Sequence, residues 1–342
     1  MTNKERVSAS LAHRQPDRIP YHVTFTEPAR ARMAEFYSDR DFESTLGNCL
    51  QILTTEAPGS WREMTPGIWE DQFGVQWNRT IDKDIGNVCN TAVTPQTLEG
   101  CRFPDPSDPA RFADYPRRIA AAPDAFQVAD LGFSLFERAW TLAGMESFLM
   151  AMVDDTSFAH ALLDRILDFN LRIIDRACAL PIDAMMFGDD WGSQRGLVMG
   201  PARWREYIGP RVGAMYARVK SHGKRVFIHS CGKVDELFPD LIAAGLDCFN
   251  PFQPEVMDVP ALLARYRGRL AFHGGLSTQR TLPRGSAAEV RAESQRLLAL
   301  GARGGYVFAP AHAVEGDVPL ENMLAFIDAA QSQAGFQEVH GR

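Results

Sequence analysis

An α/β fold whose parallel strands close into a (β/α)8 TIM barrel is the architecture that this sequence predicts. From about residue 126 onward, short apolar runs alternate with amphipathic helical patterns, which is typical of parallel strands joined by right-handed helical crossovers. Polar and ionisable residues follow the apolar runs, where barrels of this kind place their chemistry. The 342 residues are within the range of one such barrel. We therefore expect a single domain over residues 1–342.

The first part of the chain contains the elements that are hardest to assign. Residues 3–14 predict an amphipathic helix, residues 18–25 a first strand, and Thr26-Glu27-Pro28 the start of a second helix. Residues 58–106 are rich in Gly, Pro and Trp, and we interpret them as an irregular or hairpin insertion near the barrel mouth. His22 lies within the predicted first strand, either as a buried, hydrogen-bonded histidine or as part of a site.

The remainder has a regular strand and helix alternation. Further strands are predicted at 126–131, 184–187, 226–229, 246–249, 270–272 and 306–309. Helices are predicted at 134–142, 156–180, 201–221, 234–244, 259–266, 286–300 and 318–331. Only seven strands are evident, so either the eighth lies within the insertion or the barrel is distorted.

Composition excludes several classes of partner. Hydrophobic residues make up 45% and charged residues 23% of the chain, close to the average for globular proteins. The net charge of −7, without any basic block, argues against nucleic-acid binding. No apolar run reaches the roughly 18 residues of a membrane span, and the N-terminus has no apolar signal core. We expect a cytoplasmic enzyme whose scattered cysteines are free or metal-bound.

A candidate metal site begins at His229, which ends the apolar run at 226–229, and at Cys231, two residues later. Residues two apart on a strand project from the same face, and an imidazole and a thiolate both suit zinc. His312 ends another apolar run and is the best third donor. In the competing interpretation, Cys231 is a small buried hydrophobe and the histidines bond to backbone carbonyls. Cys248 is expected in the core.

Three carboxylates are candidates for proton transfer. Asp189 and Asp190 follow a predicted strand, where either residue would serve as a metal ligand, a general base or an orienting partner of a metal-bound histidine. In the competing interpretation, one of the two caps a helix before Trp191. Glu137 lies among apolar residues of a predicted helix, facing inward or exposed. His273 precedes two glycines that allow close approach of an anion, and Arg280 is a candidate for binding a carboxylate.

Taken together, these residues resemble the uroporphyrinogen decarboxylase superfamily, and most closely its branch of zinc-dependent, corrinoid-linked methyltransferases. The resemblance extends over essentially the whole chain. Its segments are 5–7 with 16–20, 71–75, 135–140, 189–194, 229–232, and 273–275 with 278–280.

The resemblance implies a zinc ion at the barrel mouth. The metal ligands that it implies are His229, Cys231 and His312. The last is a departure, because the methyltransferases of this family have a cysteine there, and the substrates of the relatives therefore cannot be assumed for this chain. The predicted catalytic residues are Glu137, Asp189 and Asp190. The predicted substrate-binding residues are His22, Trp191, Gln194, His273 and Arg280.

Three functions are consistent with these features. The leading one is zinc-dependent transfer of a methyl group between a small substrate, as donor or acceptor, and a corrinoid that a partner protein carries. The second is a lyase that decarboxylates a porphyrinogen or a small acid, with Arg195 or Arg280 holding a carboxylate. Porphyrinogens are disfavoured, because residues 21–27 lack the arginine-rich Arg-Gln-Ala-Gly-Arg-Tyr element of that branch. The third is a non-catalytic ligand-binding barrel. In each case the sequence leaves open whether the protein forms a homodimer.

Overall fold

The computed structural model describes residues 1–83 and 85–333, so the predicted domain range 1–342 extends beyond the described residues. In chain order the strands are β1 (Leu50–Thr54), β2 (Arg62–Thr65), β3 (Ile68–Glu70), β4 (Gln76–Asn78), β5 (Asn87–Val88), β6 (Phe126–Leu131), β7 (Ala184–Gly188), β8 (Gly192–Ser193), β9 (Gly196–Leu197), β10 (Arg225–His229), β11 (Cys248–Phe252), β12 (Ala271–Leu276) and β13 (Tyr306–Pro310).

The helices surround the sheet and follow the predicted pattern closely. They are α1 (Asn3–Leu11), α2 (Glu27–Tyr37), α3 (Tyr115–Ala121), α4 (Phe136–Ala143), α5 (Met145–Asp154), α6 (Thr156–Cys178), α7 (Gly200–Arg203), α8 (Gly209–Ser221), α9 (Phe238–Ala244), α10 (Val259–Arg265), α11 (Thr281–Arg284), α12 (Ala287–Gly301) and α13 (Leu320–Gln331). A capping box begins α12, since the side chains of Ser286 and Glu289 each accept a hydrogen bond from the other residue's backbone N–H. Within the described part of the chain, every helix is too short or too polar to cross a membrane.

The main sheet is curled and entirely parallel, which confirms the predicted α/β barrel class. Its strand order is β1-β6-β7-β10-β11-β12-β13. Each neighbouring pair is parallel, as the alternation of strands and helices requires.

The gap between β13 and β1 is filled by the chain around residue 21. Tyr21 forms an isolated parallel bridge to Phe308 of β13, and Phe25 forms a second one to Val314. On the other side, the side chain of Asn48 accepts a hydrogen bond from Val23 N at 2.9 Å and donates one to Val23 O at 3.0 Å. This segment therefore closes the barrel without forming a regular strand.

Two strand predictions need correction. The predicted strand at 18–25 is wrong as a regular strand, because only isolated bridges form there and Pro20 has no N–H to donate. The strand missing from the prediction is β1, which lies before the insertion and not within it, so the main sheet of the described residues has seven regular strands. Sequence periodicity did not identify β1, because Gln51 interrupts a short apolar run.

The predicted hairpin insertion forms a four-stranded antiparallel sheet of β2 to β5. A buried ion pair between Asp71 and Arg138 of α4, 2.7 Å long, attaches it to the barrel. Trp77 packs on Phe133, which follows β6, with ring centroids 5.2 Å apart. The insertion is therefore fixed beside the carboxyl end of a barrel strand.

The barrel interior holds its own apolar cluster, separate from the larger core between sheet and helices. Phe126 and Phe227 stack inside it with ring centroids 6.1 Å apart. Val7 and Leu11 of α1 belong to the same cluster, so α1 covers the amino-terminal end of the barrel. Cys248 is fully buried there, as predicted. The opposite, carboxyl-terminal end remains for a site.

Candidate metal centre

The interior of the barrel changes from apolar to polar within two residues along several strands. The inward-facing core residues are Leu50, Ala184, Phe227, Cys248, Ala271 and Val307. Because alternate strand residues share a face, the residues two positions later also face inward. They are Ile52, Met186, His229, Asn250, His273 and Ala309, and all of them line one cavity. The strand period thus delivers histidines and an amide to the mouth.

Three metal-binding side chains meet at this mouth. Donor atoms of His229, Cys231 and His312 all lie within 4.8 Å of one another. His229 Nε2 lies 3.4 Å from Cys231 Sγ, and the imidazole rings of His229 and His312 are inclined at 69°, with centroids 5.5 Å apart. Two imidazoles and a thiol are ligands that zinc prefers, and three protein ligands are typical of catalytic zinc sites. The residues present therefore fit a zinc ion.

Asn250 holds His229 in the orientation that metal binding requires. Asn250 Nδ2 donates to the backbone carbonyl of His273 at 3.0 Å, which leaves the amide oxygen facing His229. That oxygen lies 2.6 Å from His229 Nδ1, so Nδ1 carries the proton. The lone pair is then on Nε2, the nitrogen beside Cys231 Sγ. This partner supports the interpretation of His229 as a ligand.

The loop that carries Cys231 is fixed by two side-chain acceptors. Cys231 N donates to Asp190 Oδ1 at 2.6 Å, and Gly232 N donates to Gln253 Oε1 at 2.7 Å. Burial, the Asp190 carboxylate and Glu137 raise the pKa of the Cys231 thiol. A divalent cation reverses this preference, because a coordinating thiol loses its proton.

Asp189 and Asp190 are adjacent in sequence but have different partners. Asp189 Oδ1 accepts from Leu135 N at 3.2 Å and Glu137 N at 2.8 Å, at the amino end of α4. Its Oδ2 accepts from Trp191 Nε1 at 2.6 Å. Asp189 therefore caps α4 from another element, and these bonds fit a structural role. Burial raises the pKa of Asp189 to about 6.

Glu137 lies close to both aspartates. Burial raises its pKa well above the usual value, and the charges of Asp190 and Asp189 add to the effect. Asp190 Oδ1 is 4.0 Å from His229 Nε2, which connects this acidic group to the three donors. Of the three predicted catalytic residues, Glu137 and Asp190 therefore remain candidates for handling a proton.

A cavity of about 220 Å³ lies beside the metal-binding residues, and His229 and His312 contribute to its wall. Its other polar lining residues include His22, Asn250 and His273, and its apolar ones include Val23, Ile52, Met186, Ala309 and Pro310. Burial lowers the pKa of His22 to about 4. Burial, together with His22 and His229, places the pKa of His273 well below its usual value. Both imidazoles are therefore neutral near pH 7.

The other predicted substrate-binding residues lie away from the cavity lining. Trp191 is fully buried against Trp204, with ring centroids 5.3 Å apart. Gln194 is exposed in the turn between β8 and β9. Arg280 is also exposed, with its Nε 4.0 Å from Glu255. A role for these three in substrate binding stays a prediction.

Several residues of the site were not assigned from the sequence. Asn250 and Asp130 are polar residues next to apolar runs, but the sequence pattern assigns them no role, and it assigns none to Ile52, Met186 or Gln253. Asp130 is two positions beyond the core residue Val128, and burial raises its pKa to about 6. Counting two residues onward from each buried inward-facing position would have found Ile52, Met186, Asn250 and Asp130. Gln253 follows β11 and gives no such signal.

Comparisons with known proteins agree with this architecture. Residues 128–333 match the family model described as uroporphyrinogen decarboxylase (URO-D). A search of curated proteins finds no match. Among solved structures, a methyltransferase from Methanosarcina mazei has a TM-score of 0.70 and 19% sequence identity, with 97% of this chain and 98% of that chain covered. This similarity supports the barrel fold over nearly the whole length of both chains.

Weaker similarities extend to other barrels. A xylose isomerase-like TIM barrel protein from Mycobacterium smegmatis, solved with magnesium, has 14% identity and a TM-score of 0.35, with 67% of this chain and 81% of that chain covered. A sugar phosphate isomerase/epimerase from Parabacteroides distasonis has 12% identity and a TM-score of 0.36, with 68% and 79% covered. These scores are too low to support any conclusion about the present site.

Proposed function

Because the chain belongs to the uroporphyrinogen decarboxylase family, we propose that it is a methyltransferase of that family with a zinc ion bound by His229, Cys231 and His312. The proposed reaction moves a methyl group between a small substrate and a corrinoid carried by a partner protein. The convergence of the three donor atoms within 4.8 Å is the observation that carries the proposal. The corrinoid and its carrier rest on the resemblance of the sequence segments alone.

The ligand set suits activation of a substrate thiol or hydroxyl. A bound zinc ion supplies Lewis acidity, which lowers the pKa of such a group toward neutral pH. Asn250 holds His229 with Nε2 free for the metal, and Asp190 fixes the backbone at Cys231. Burial and the charges of Asp190 and Asp189 raise the pKa of the nearby Glu137, which favours its protonated form and suits it to handle a proton. The apolar walls of the cavity limit access of water to a substrate beside the donors.

The lyase alternative has less support from the site. The cavity of about 220 Å³ is smaller than the roughly 300–1,000 Å³ that pockets for drug-sized ligands occupy, so it does not enclose a tetrapyrrole. Arg195 and Arg280, the arginines suggested as carboxylate partners, are exposed and do not line it. The methyltransferase similarity of the overall fold also favours the first proposal.

Metal content tests the proposal directly. We expect about one zinc per chain in the wild-type protein, as for a site with three protein ligands. Cys231→Ala, His229→Ala and His312→Ala should each lose most of it. Cys89→Ala and His222→Ala are matched controls, because both side chains are exposed, and they should retain the metal. Elemental analysis of the purified variants makes the measurement, and stoichiometric zinc in all three ligand variants would contradict the proposal.

Activity is a second, separate measurement. The wild-type protein is expected to transfer a methyl group from methylcobalamin to one or more members of a panel of small thiols and alcohols. The ligand variants should lose this transfer while the two control variants keep it. If zinc is bound but no methyl group moves between the cobalamin and any member of the panel, in either direction, the metal site stands and the proposed reaction fails.

A further inference from the structure

His273 is a buried polar side chain whose hydrogen-bonding groups have no partner. The residue is 5% exposed, and neither ring nitrogen has a hydrogen-bond partner among the described residues. Buried polar groups are nearly always satisfied, so such an exception needs an explanation. The ring lines the cavity beside the metal-binding residues. A molecule in that cavity is therefore the natural partner.

His22 gives His273 a neighbour of the same kind. The two ring centroids are 5.4 Å apart, and His22 lines the same cavity. Burial lowers the pKa of both groups, so both stay neutral near pH 7. Each neutral imidazole offers one donor and one acceptor. Together they match a hydroxyl group, which also donates and accepts.

Without a bound metal, the described residues that line the cavity offer no charge to balance a charged ligand. Of the described residues that line it, none is Lys, Arg, Asp or Glu. Burying a charge without a partner is costly, so this lining disfavours carboxylates and ammonium groups. Its volume of about 220 Å³ exceeds the roughly 150 Å³ of an engineered cavity that binds benzene. A molecule with one ring and a small substituent therefore fits.

We infer that this cavity binds a small uncharged organic molecule, up to about one substituted ring in size, whose hydroxyl group bonds to His22 and His273. The inference rests on the proposed function in one respect, which is that the cavity is taken to be the substrate pocket. It narrows the substrate class, because the lining itself has no charged side chain to pair with a carboxylate or an ammonium group.

Binding of benzyl alcohol, benzoate and benzylamine tests this inference, because the three molecules share one ring and are neutral, negative and positive at neutral pH. Calorimetry at neutral pH on the chelator-treated protein, in which no zinc ion can bind the carboxylate, should give an affinity for benzyl alcohol at least about tenfold higher than for either charged analogue. Equal or tighter binding of benzoate or benzylamine would overturn the inference. So would the absence of binding by all three.

Variants of His273 test the assigned partner. His273→Leu removes both ring nitrogens at similar volume and should weaken benzyl alcohol binding by about tenfold or more. His273→Gln keeps a neutral donor and acceptor and should retain most of the affinity, while the exposed control His222→Ala should bind like the wild type. Unchanged binding of benzyl alcohol by His273→Leu would contradict the inference. If that variant does not fold, a loss of affinity of about tenfold or more in His273→Gln would contradict it instead.

The metal separates this test from that of the proposed function. The calorimetry is repeated on the zinc-loaded protein, and the preference for benzyl alcohol over benzylamine should persist because neither His22 nor His273 belongs to the three donors. Loss of the preference with the metal removed would contradict the inference. Failure of zinc binding in the wild type, with the preference intact, would contradict only the proposed function.

Discussion

The side chain of Asn250 lies between two histidines of the barrel mouth and bonds to both. Its amide oxygen faces His229 Nδ1 at 2.6 Å, and its nitrogen donates to the carbonyl of His273 at 3.0 Å. Partners of this kind fix the tautomer and ring orientation of a metal-binding histidine. A residue that contacts no metal in the proposed site therefore determines how well the metal binds.

Asn250→Ala should weaken zinc binding by about 10- to 100-fold, because His229 loses the acceptor that selects its tautomer. Asn250→Asp keeps an acceptor at the same position and should lose less. Competition with a zinc-binding dye measures both affinities, and thermal unfolding checks that the variants fold. An alanine variant with wild-type zinc affinity would show that the amide does not orient the ligand.

The sequence predicted His229, Cys231 and His312 as a set, since each lies at or just beyond the end of an apolar run. It did not assign a role to Asn250, because the apolar run there was predicted to end at residue 249. The strand β11 in fact continues to Phe252, which makes Asn250 an inward-facing strand residue. The backbone register, and not the residue type, was the missing information.

At the scale of elements, the ligand loop depends on the short hairpin of β8 and β9. Gly192 of β8 and Gly232, which follows Cys231, lie so close that neither position has room for a side chain. A Cβ on Gly192 would lie 2.6 Å from Cys231 O. A Cβ on Gly232, whose φ is +86°, would lie 2.7 Å from Gly192 O. The hairpin therefore positions Cys231 through backbone contact.

Gly192→Ala should displace the Cys231 loop, lower zinc affinity and cost about 1–3 kcal/mol in the free energy of unfolding. Gly213→Ala is the matched control, because a Cβ there meets no atom within 4 Å on helix α8. That control should be neutral or stabilising by about 0.5–1 kcal/mol. Urea unfolding and zinc titration provide the two readouts. Wild-type metal affinity in Gly192→Ala would mean that the loop tolerates the added methyl group.

Element prediction succeeded where the apolar pattern has a clear period. The long helix α6 was predicted to begin at residue 156 and does so. Helix α5 was not predicted, because it carries apolar residues on its exposed side as well, including Met150 at 52% and Val153 at 54% exposure. These side chains obscure the 3.6-residue period on which the prediction depends.

At the scale of the whole molecule, the barrel is closed by a non-repetitive segment. Residues around Tyr21 contact β13 on one side and Asn48 on the other. The fold class was predictable from the strand and helix alternation, but this closure was not. A segment containing Pro20 and joined by isolated bridges carries no strand signature, and β1 is short and interrupted by Gln51.

Asn48→Ala should cost about 1–3 kcal/mol in the free energy of unfolding, because the N–H and C=O of Val23 lose their partners. The exposed Asn87→Ala is the matched control and should change stability little. Hydrogen exchange should also be faster at the amides of His22 and Phe308, which bond across the closure. Unchanged exchange at both amides would show that Asn48 does not hold the segment.

The closure joins parts of the chain that are made at very different times. Ser10 Oγ donates to Tyr306 O and accepts from Tyr306 N, although 296 residues separate the two. At a synthesis rate of about 5–20 residues per second, the first of these residues leaves the ribosome roughly 15 to 60 seconds before the second. During that delay, Val7 and Leu11 have no completed barrel on which to pack. The residues of α1, which are made first, therefore pack in place only after the last barrel strand has been made.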